Sequence, residues 1–306
     1  MSTPTPPFAS LRDALRGRRF GLVLSAGYFG FFGHTGFLSA LWASGLRPSA
    51  YAGTSAGGLI AAHAAAGASL ETLQRTLLQL NREHFWDPDP LGVVGGLWRK
   101  GSGHLFTGLL KGDRFRKLIE GSLPVERFED CPTPLLLVAT ELTRARSEVF
   151  TSGPLAPAVH ATCAYPGLFR AVRHGGGLYW DGGIVDKAPA VALAESSFGR
   201  DLDALLIHYL PSRNRSTLSG ALAYAQGMDA GLSAGRHEHF ELQLKVLRAR
   251  GLPSYVVTSH LPPVTPRTLS RGAEAMEAAR AMTAKALAEP PAEEGTGEPS
   301  TEPQVR

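Results

Sequence analysis

An α/β fold, with a mostly parallel central sheet covered by helices on both faces, is predicted by three observations. Short apolar runs alternate along the chain with longer helical patterns, the order that builds parallel strands joined by crossover helices. With 306 residues, 43% of them hydrophobic, the chain can bury a full core, as one large domain. A glycine-flanked serine, Gly53-Thr54-Ser55-Ala56-Gly57, stands between a very short strand and an almost wholly small-residue helix. That junction is a tight strand-to-helix turn.

The elements follow in order. Residues 1–8 read as a disordered leader and 287–306, rich in Pro, Glu, Gly and Thr, as a solvated tail, leaving 9–286 as the folded domain. Residues 19–25 (Arg-Phe-Gly-Leu-Val-Leu-Ser) predict a buried strand. It runs into the loop Ala26-Gly27-Tyr28-Phe29-Gly30 and then a helix carrying Phe37, Leu38 and Leu41. Residues 48–52 predict a second strand and 55–66 the small-residue helix. Such a helix can lie close against a sheet and point its first amides at an anion. Later strands are expected at 134–140, 203–210 and 253–259. Residues 219–250 predict a long helix whose Leu232, Phe240, Leu244 and Leu247 form a core stripe. Residues 84–110, glycine-rich and aromatic, fit no regular element; they read either as an apolar flap over a site or as an ordinary packed excursion.

The chemistry lies in two motifs 126 residues apart: Gly53-Thr-Ser-Ala-Gly57 and Tyr179-Trp-Asp-Gly-Gly183. The G-x-S-x-G form exposes a serine hydroxyl on a tight turn, though in a chain with 35 glycines the pattern alone is weak. Two groups of backbone donors would stand near Ser55, the Ala56 amide and those of the Gly27-Tyr28 loop. That is an acyl-transfer arrangement.

Several blocks, in order, resemble the patatin-like phospholipases. Leu22 to Gly36 is similar to that family's oxyanion loop and following helix. Gly53-Thr-Ser-Ala-Gly-Gly58 is similar to its nucleophile elbow. Val138-Ala-Thr-Glu-Leu and Val149-Phe-Thr-Ser-Gly153 resemble its central strands. Ala161-Thr-Cys-Ala-Tyr-Pro-Gly-Leu-Phe169 and Tyr179 to Gly183 resemble its second catalytic block. The resemblance spans residues 19–210 and implies a three-layer patatin-like architecture. It also implies a Ser-Asp dyad with Ser55 as nucleophile and Asp181 as base, an oxyanion hole of Gly27, Tyr28 and Ala56 amides, and no cofactor or metal. A carboxylate is a weak base unless shielded, and Tyr179 and Trp180 are expected to screen it while Gly182 and Gly183 turn the backbone.

Two departures stand out. The family's glycine run and basic residue align with Ala26, Gly27, Tyr28 and Gly30, so one glycine of the run remains and the basic side chain is absent. The loop is loosely similar to the non-basic loop of the branch that includes animal triglyceride lipases, and backbone amides donate whatever their side chains. Lys187 stands where the family often has Asn, and reads as a surface or loop substitution of small consequence. The resulting expectation is hydrolysis of lipid ester bonds (phospholipase, lysophospholipase or acylglycerol lipase). An acyltransferase using the same dyad and a lipid-binding regulatory pseudoenzyme are the alternatives.

Other classes find little support. Formal charge is +4 and the pI about 9.2, with arginine patches at 12–19, 99–100, 170–173 and 213–215. No nucleic-acid recognition motif accompanies them, so attraction to an anionic membrane surface is a better use of that charge, and a plain solvated arginine-rich surface is the leading reading over both. Cys131 and Cys163 have neither disulfide-framework nor zinc spacing, and Cys163 reads as a small core residue. His237 and His239, two apart on a helix, face different ways. His34, His63 and His104 read as structural. Glycines and His34 interrupt the apolar run at 16–42, so neither a signal peptide nor a membrane span is expected and the protein reads as cytosolic. His260, after a strand, keeps a Ser-Asp-His triad open as the rival to the dyad.

Overall fold

A computed structural model describes residues 8–89, 108–212 and 223–291. In chain order the helices are α1 (Leu11–Leu15), α2 (Phe31–Ala43), α3 (Ala56–Ala65), α4 (Leu70–Leu78), α5 (Asp113–Ser122), α6 (Leu155–Thr162), α7 (Ala190–Glu195), α8 (Ala223–Ala249) and α9 (Gly272–Ala288). The strands are β1 (Phe20–Leu24), β2 (Ala50–Thr54), β3 (Gly108–Leu110), β4 (Leu135–Glu141), β5 (Arg146–Phe150), β6 (Gly167–Phe169), β7 (Val172–His174), β8 (Gly177–Asp181), β9 (Ala204–Tyr209) and β10 (Ser254–Thr258).

The sheet runs β10-β9-β1-β2-β4-β8-β7, with β5 on β4; β3 and β6 pair separately. From β10 to β4 every pairing is parallel, while β5, β7 and β8 are antiparallel. The parallel strands read as unbroken apolar runs because both faces are covered. Within β1 the alternation still sorts the side chains. Phe20, Leu22 and Leu24 enter one core with α2, α3 and α9, while Val23 enters a second with α7 and α8. Three layers result.

Helix α3 can press onto the sheet because its residues are small. A Cβ at Gly57 would strike the Leu24 and Ser25 carbonyls, so only glycine permits that approach. On the other side of α2, α9 packs so closely that a side chain at Gly36 would meet the Met276 carbonyl.

Several expectations shift. β2 begins and ends two residues later than predicted, because Gly53 and Thr54 stay paired to Leu137 and Val138. The Val149 block belongs to an exposed antiparallel edge strand, not a central one. The tail expected from Leu287 begins later: Leu287 is buried within α9, and Leu11 donates its amide to the Glu289 carbonyl at 2.7 Å. Leu232 is not core. Phe240 and Leu247 are buried, but Leu232 lies exposed along a cavity it lines with Ile184 and Val185. Most of the expected flap, and His104 with it, lies outside the described residues. Its near end is anchored by Asp87, whose carboxylate accepts the Gly112 and Arg114 amides at 3.0 Å.

Candidate active site

Two strands share one edge of β4, and this brings the motifs together. Along β4, Thr54 of β2 stands opposite Val138 and Asp181 of β8 opposite the next residue, Ala139. β5 pairs with both Val138 and Ala139, so it takes the other edge. β2 and β8 therefore abut end to end, one arriving parallel and the other antiparallel. The residue after Thr54 meets the last residue of β8. Gly182 makes the approach feasible, since a side chain there would strike the Val138 carbonyl. Its role is close contact, and neither Gly182 nor Gly183 is among the positive-φ glycines.

The Ser55 hydroxyl donates to Asp181 Oδ2 at 2.5 Å, and Asp181 Oδ1 accepts the Gly183 amide at 2.8 Å. Ser55 has φ 56° and ψ −127°, a region a residue with a Cβ rarely occupies, and it stands at the N-terminus of α3. Asp181 is 3% exposed. Burial raises its pKa from 3.8 to about 6, against the lowering effects of the Ser55 and Gly183 hydrogen bonds and the Arg236 charge. Arg236 comes from α8 and donates to the Gly183 carbonyl at 3.2 Å. Backbone contacts fix Asp181 further: its amide reaches the Ala164 carbonyl at 3.0 Å, and its carbonyl accepts the Thr140 hydroxyl at 2.8 Å.

The loop after β1 is held from below. Ser25 and Ala26 donate their amides to the His208 and Lys187 carbonyls, at 3.2 and 2.7 Å. Among the described residues, the amides of Gly27, Tyr28 and Ala56 take no acceptor in turns or loops. A side chain at Gly30, the place of the missing basic residue, would meet Leu210 and the Gly27 carbonyl. Tyr28 is half-exposed, its ring 5.9 Å from that of Tyr165. Behind the loop, His34 Nε2 meets the Ser25 carbonyl at 2.8 Å, which puts its proton there. His34 Nδ1 must then accept from His208 Nδ1, 2.8 Å away, and His208 Nε2 accepts from Ser259 at 3.0 Å. Burial lowers the His34 pKa to about 4 and, with the neighbouring His34, holds that of His208 well below its ordinary value. These histidines are a neutral strut.

Lys187 lies in a loop, as expected, but not on the surface: it is 4% exposed. Its Nζ donates to Ser212 Oγ at 3.0 Å and lies 4.6 Å from the Tyr209 ring centre. Burial, then the Arg236 charge, lowers its pKa to about 7. The local sequence hid this, because the partners, Tyr209 at the end of β9 and Ser212 just after it, lie further along the chain.

Among the described residues, neither Ser55 nor Asp181 has a histidine partner; His260 is exposed beyond β10. His63 is buried between the Leu59 carbonyl and Ser122. No group of three or more His, Cys, Asp or Glu among these residues is placed to hold a metal ion. Cys163 is buried, its thiol pKa raised by desolvation, and it donates to the Ser55 carbonyl at 3.2 Å. Sequence reasoning missed Thr140, Thr162 and Arg236. The one signal for Arg236 is the run Gly227, Gly231, Gly235, which bares that face of α8. With Ile184, Val185, Met228 and Leu232 these residues line a cavity of about 340 Å³.

Fold and site define a class, the three-layer α/β proteins that set a serine hydroxyl at a helix N-terminus against a buried carboxylate. Comparison with known proteins narrows it: the model of the patatin-like phospholipase family matches residues 22–194, and the chain belongs to that family. An uncharacterized NTE family protein of Mycobacterium bovis is 26% identical over 192 residues, covering 63% of this chain and 31% of its own length. Lysophospholipase NTE1 of Cryptococcus neoformans var. neoformans is 30% identical over 198 residues, covering 64% of this chain and 12% of its own. The chain thus spans only part of these relatives. The crystal structure of VipD from Legionella pneumophila aligns over 88% of this chain and 67% of its own, with TM-score 0.42 and 14% identity.

Proposed function

We propose that this protein is a serine acyl hydrolase of lipid carboxylic esters, with Ser55 as nucleophile and Asp181 as its base. The observation that carries the reading is the 2.5 Å hydrogen bond between the Ser55 hydroxyl and a carboxylate shielded enough to be a usable base. Ser55 Oγ attacks the acyl carbonyl carbon as its proton passes to Asp181. The oxyanion forms against the unengaged amides of Gly27, Tyr28 and Ala56, with the N-terminus of α3 behind the last. Collapse expels the alcohol, which takes the proton from Asp181. Water then gives a proton to the same carboxylate as it attacks the acyl-serine; collapse of that second tetrahedral intermediate releases the fatty acid, and Asp181 returns the proton to the departing Ser55 oxygen.

A lipid substrate is supported by the family, by the lysophospholipase relative, and by the surface beside Gly183. There Met228 is 53% and Leu232 44% exposed along the cavity that ends at Arg236, a surface suited to an acyl chain. Among the described residues no helix is long and apolar enough to cross a membrane. The 12–19 arginine patch lies at the start of β1, the end of the sheet away from Ser55. Peripheral membrane contact would instead use the half-exposed Tyr28 at the site's mouth.

Turnover of p-nitrophenyl butyrate by purified variants tests the dyad. Ser55→Ala and Asp181→Asn should each lose at least about a thousandfold in rate, because the two act as a unit. His260→Ala should keep most of its activity. A folded His260→Ala that falls a thousandfold would establish the triad instead.

A further inference from the structure

We propose that Thr162 is a positioning residue for Ser55: its hydroxyl holds the strained turn at the angle of attack. This rests on the reading of Ser55 as nucleophile. A serine in so unfavourable a backbone region persists only if its surroundings over-determine it. The end of α6 supplies much of that constraint, from two consecutive side chains. Thr162 Oγ1 accepts the Ser55 amide at 2.9 Å, and the Cys163 thiol donates to the Ser55 carbonyl at 3.2 Å. The donor roles are unambiguous, since an amide only donates and a carbonyl only accepts. The single Thr162 proton goes to the Val138 carbonyl in a short contact.

Val138 is the β4 residue opposite Thr54, next to the one opposite Asp181. Thr162 therefore ties the nucleophile's own peptide to the point where β2 and β8 abut. Thr140, two residues further along β4, ties the Asp181 carbonyl with its hydroxyl. One strand edge is the common reference for both reacting groups. Packing alone does not require a hydroxyl here. Thr162 is fully buried and its methyl faces Gly58, so valine would fill the same volume. What valine lacks is the acceptor for Ser55 and the donor to Val138.

The test compares Thr162→Val, Thr162→Ser and Thr162→Cys with the unmodified protein. It reads kcat and KM for p-nitrophenyl butyrate, the inactivation rate by a fluorophosphonate probe, and Tm. In Thr162→Val, kcat and the inactivation rate should fall about 10–100-fold with KM within about twofold, the penalty of a displaced reacting atom. Thr162→Ser should restore both rates to within about threefold. Thr162→Cys keeps the bulk with only a weak sulfur acceptor. It should lose kcat too, so it reads the same distinction if the valine variant does not fold. A folded Thr162→Val or Thr162→Cys with lowered Tm but unchanged kcat would reduce Thr162 to a structural role and overturn the proposal. So would a serine variant as impaired as the valine one. An unmodified protein inert to both ester and probe would overturn the reading of Ser55 and this proposal together, whereas an active one would isolate the fault to Thr162.

Discussion

A carboxylate able to act as base beside a serine, the role proposed for Asp181, must be poor at holding its charge, and that has a consequence for stability. The native pKa of Asp181 is about 6 against an ordinary 3.8, so the folded chain binds the proton more tightly than the unfolded one. The stabilising effect of that proton is fully present below 3.8 and is lost as pH rises through about 6. At neutral pH the buried charge is a net cost, on the order of 3 kcal/mol for such a shift. Asp181→Asn should therefore be inactive yet more stable than the unmodified protein at pH 7, with the gain vanishing below about pH 4. Thermal unfolding across pH checks this, and an Asn variant of lower Tm at pH 7 would contradict it. The same titration governs rate. As kcat/KM needs the ionised base, its profile should rise with pH along a single acid limb near 6. The Arg236 charge lowers the Asp181 pKa, so Arg236→Gln should carry that limb to higher pH while Arg236→Lys holds it near its place. An unmoved limb in the Gln variant would exclude the charge as a tuning element.

At the level of elements, the decisive event is that β2 and β8 meet along one edge of β4. Gly182→Ala should force β8 away from the Val138 carbonyl, lengthen the Ser55–Asp181 bond and cut kcat/KM by about a hundredfold or more. Steady-state rates and a crystal structure of that variant would check it, and an active variant with an unmoved β8 would refute the close-contact argument. Sequence carried the two ends of this device well. Gly53 to Gly57 and Asp181 to Gly183 stand out because small residues and one reactive side chain each are needed at fixed offsets. The meeting itself was not legible, for register along a shared strand edge depends on three segments at once. β5 was placed wrongly as central because its resemblance rested on Val149 and Phe150, while Arg146, Ser147 and Glu148 give it the polar face of an edge. Leu232 obeyed the helical period but lines an open cavity with Ile184 and Val185, and periodicity does not say whether a neighbour fills the space it faces. The burial of Lys187 was illegible for a related reason, since a lysine is read as exposed unless its burial partners, here Tyr209 and Ser212, are known.

At the level of the whole molecule, the family match and the folding unit do not coincide. The match ends at residue 194, yet β1, which delivers the loop of Gly27 and Tyr28, lies between β2 and β9. Five residue pairs from Phe20↔Ala204 to Leu24↔His208 join β1 to β9. The His34–His208 strut and the Ser25 amide bond cross the same seam. Beyond β9, α9 covers α2, with Gly36 against Met276 and Gly272 against Phe32, and Leu11 is tied to Glu289. Removing everything after residue 196 would strip one edge of β1, expose Phe32, Phe37 and Leu41, and leave His34 without the donor its Nδ1 needs. We therefore expect residues 8–291 to be the folding unit. A fragment of those residues should match the 306-residue chain in Tm and ester turnover, while residues 8–196 should be aggregated or unfolded and inert. Circular dichroism, size-exclusion chromatography and p-nitrophenyl butyrate rates on the two fragments decide it. A cooperative unfolding transition with near-native turnover in 8–196 would mean that the oxyanion loop is positioned without β9, against the geometry of the sheet.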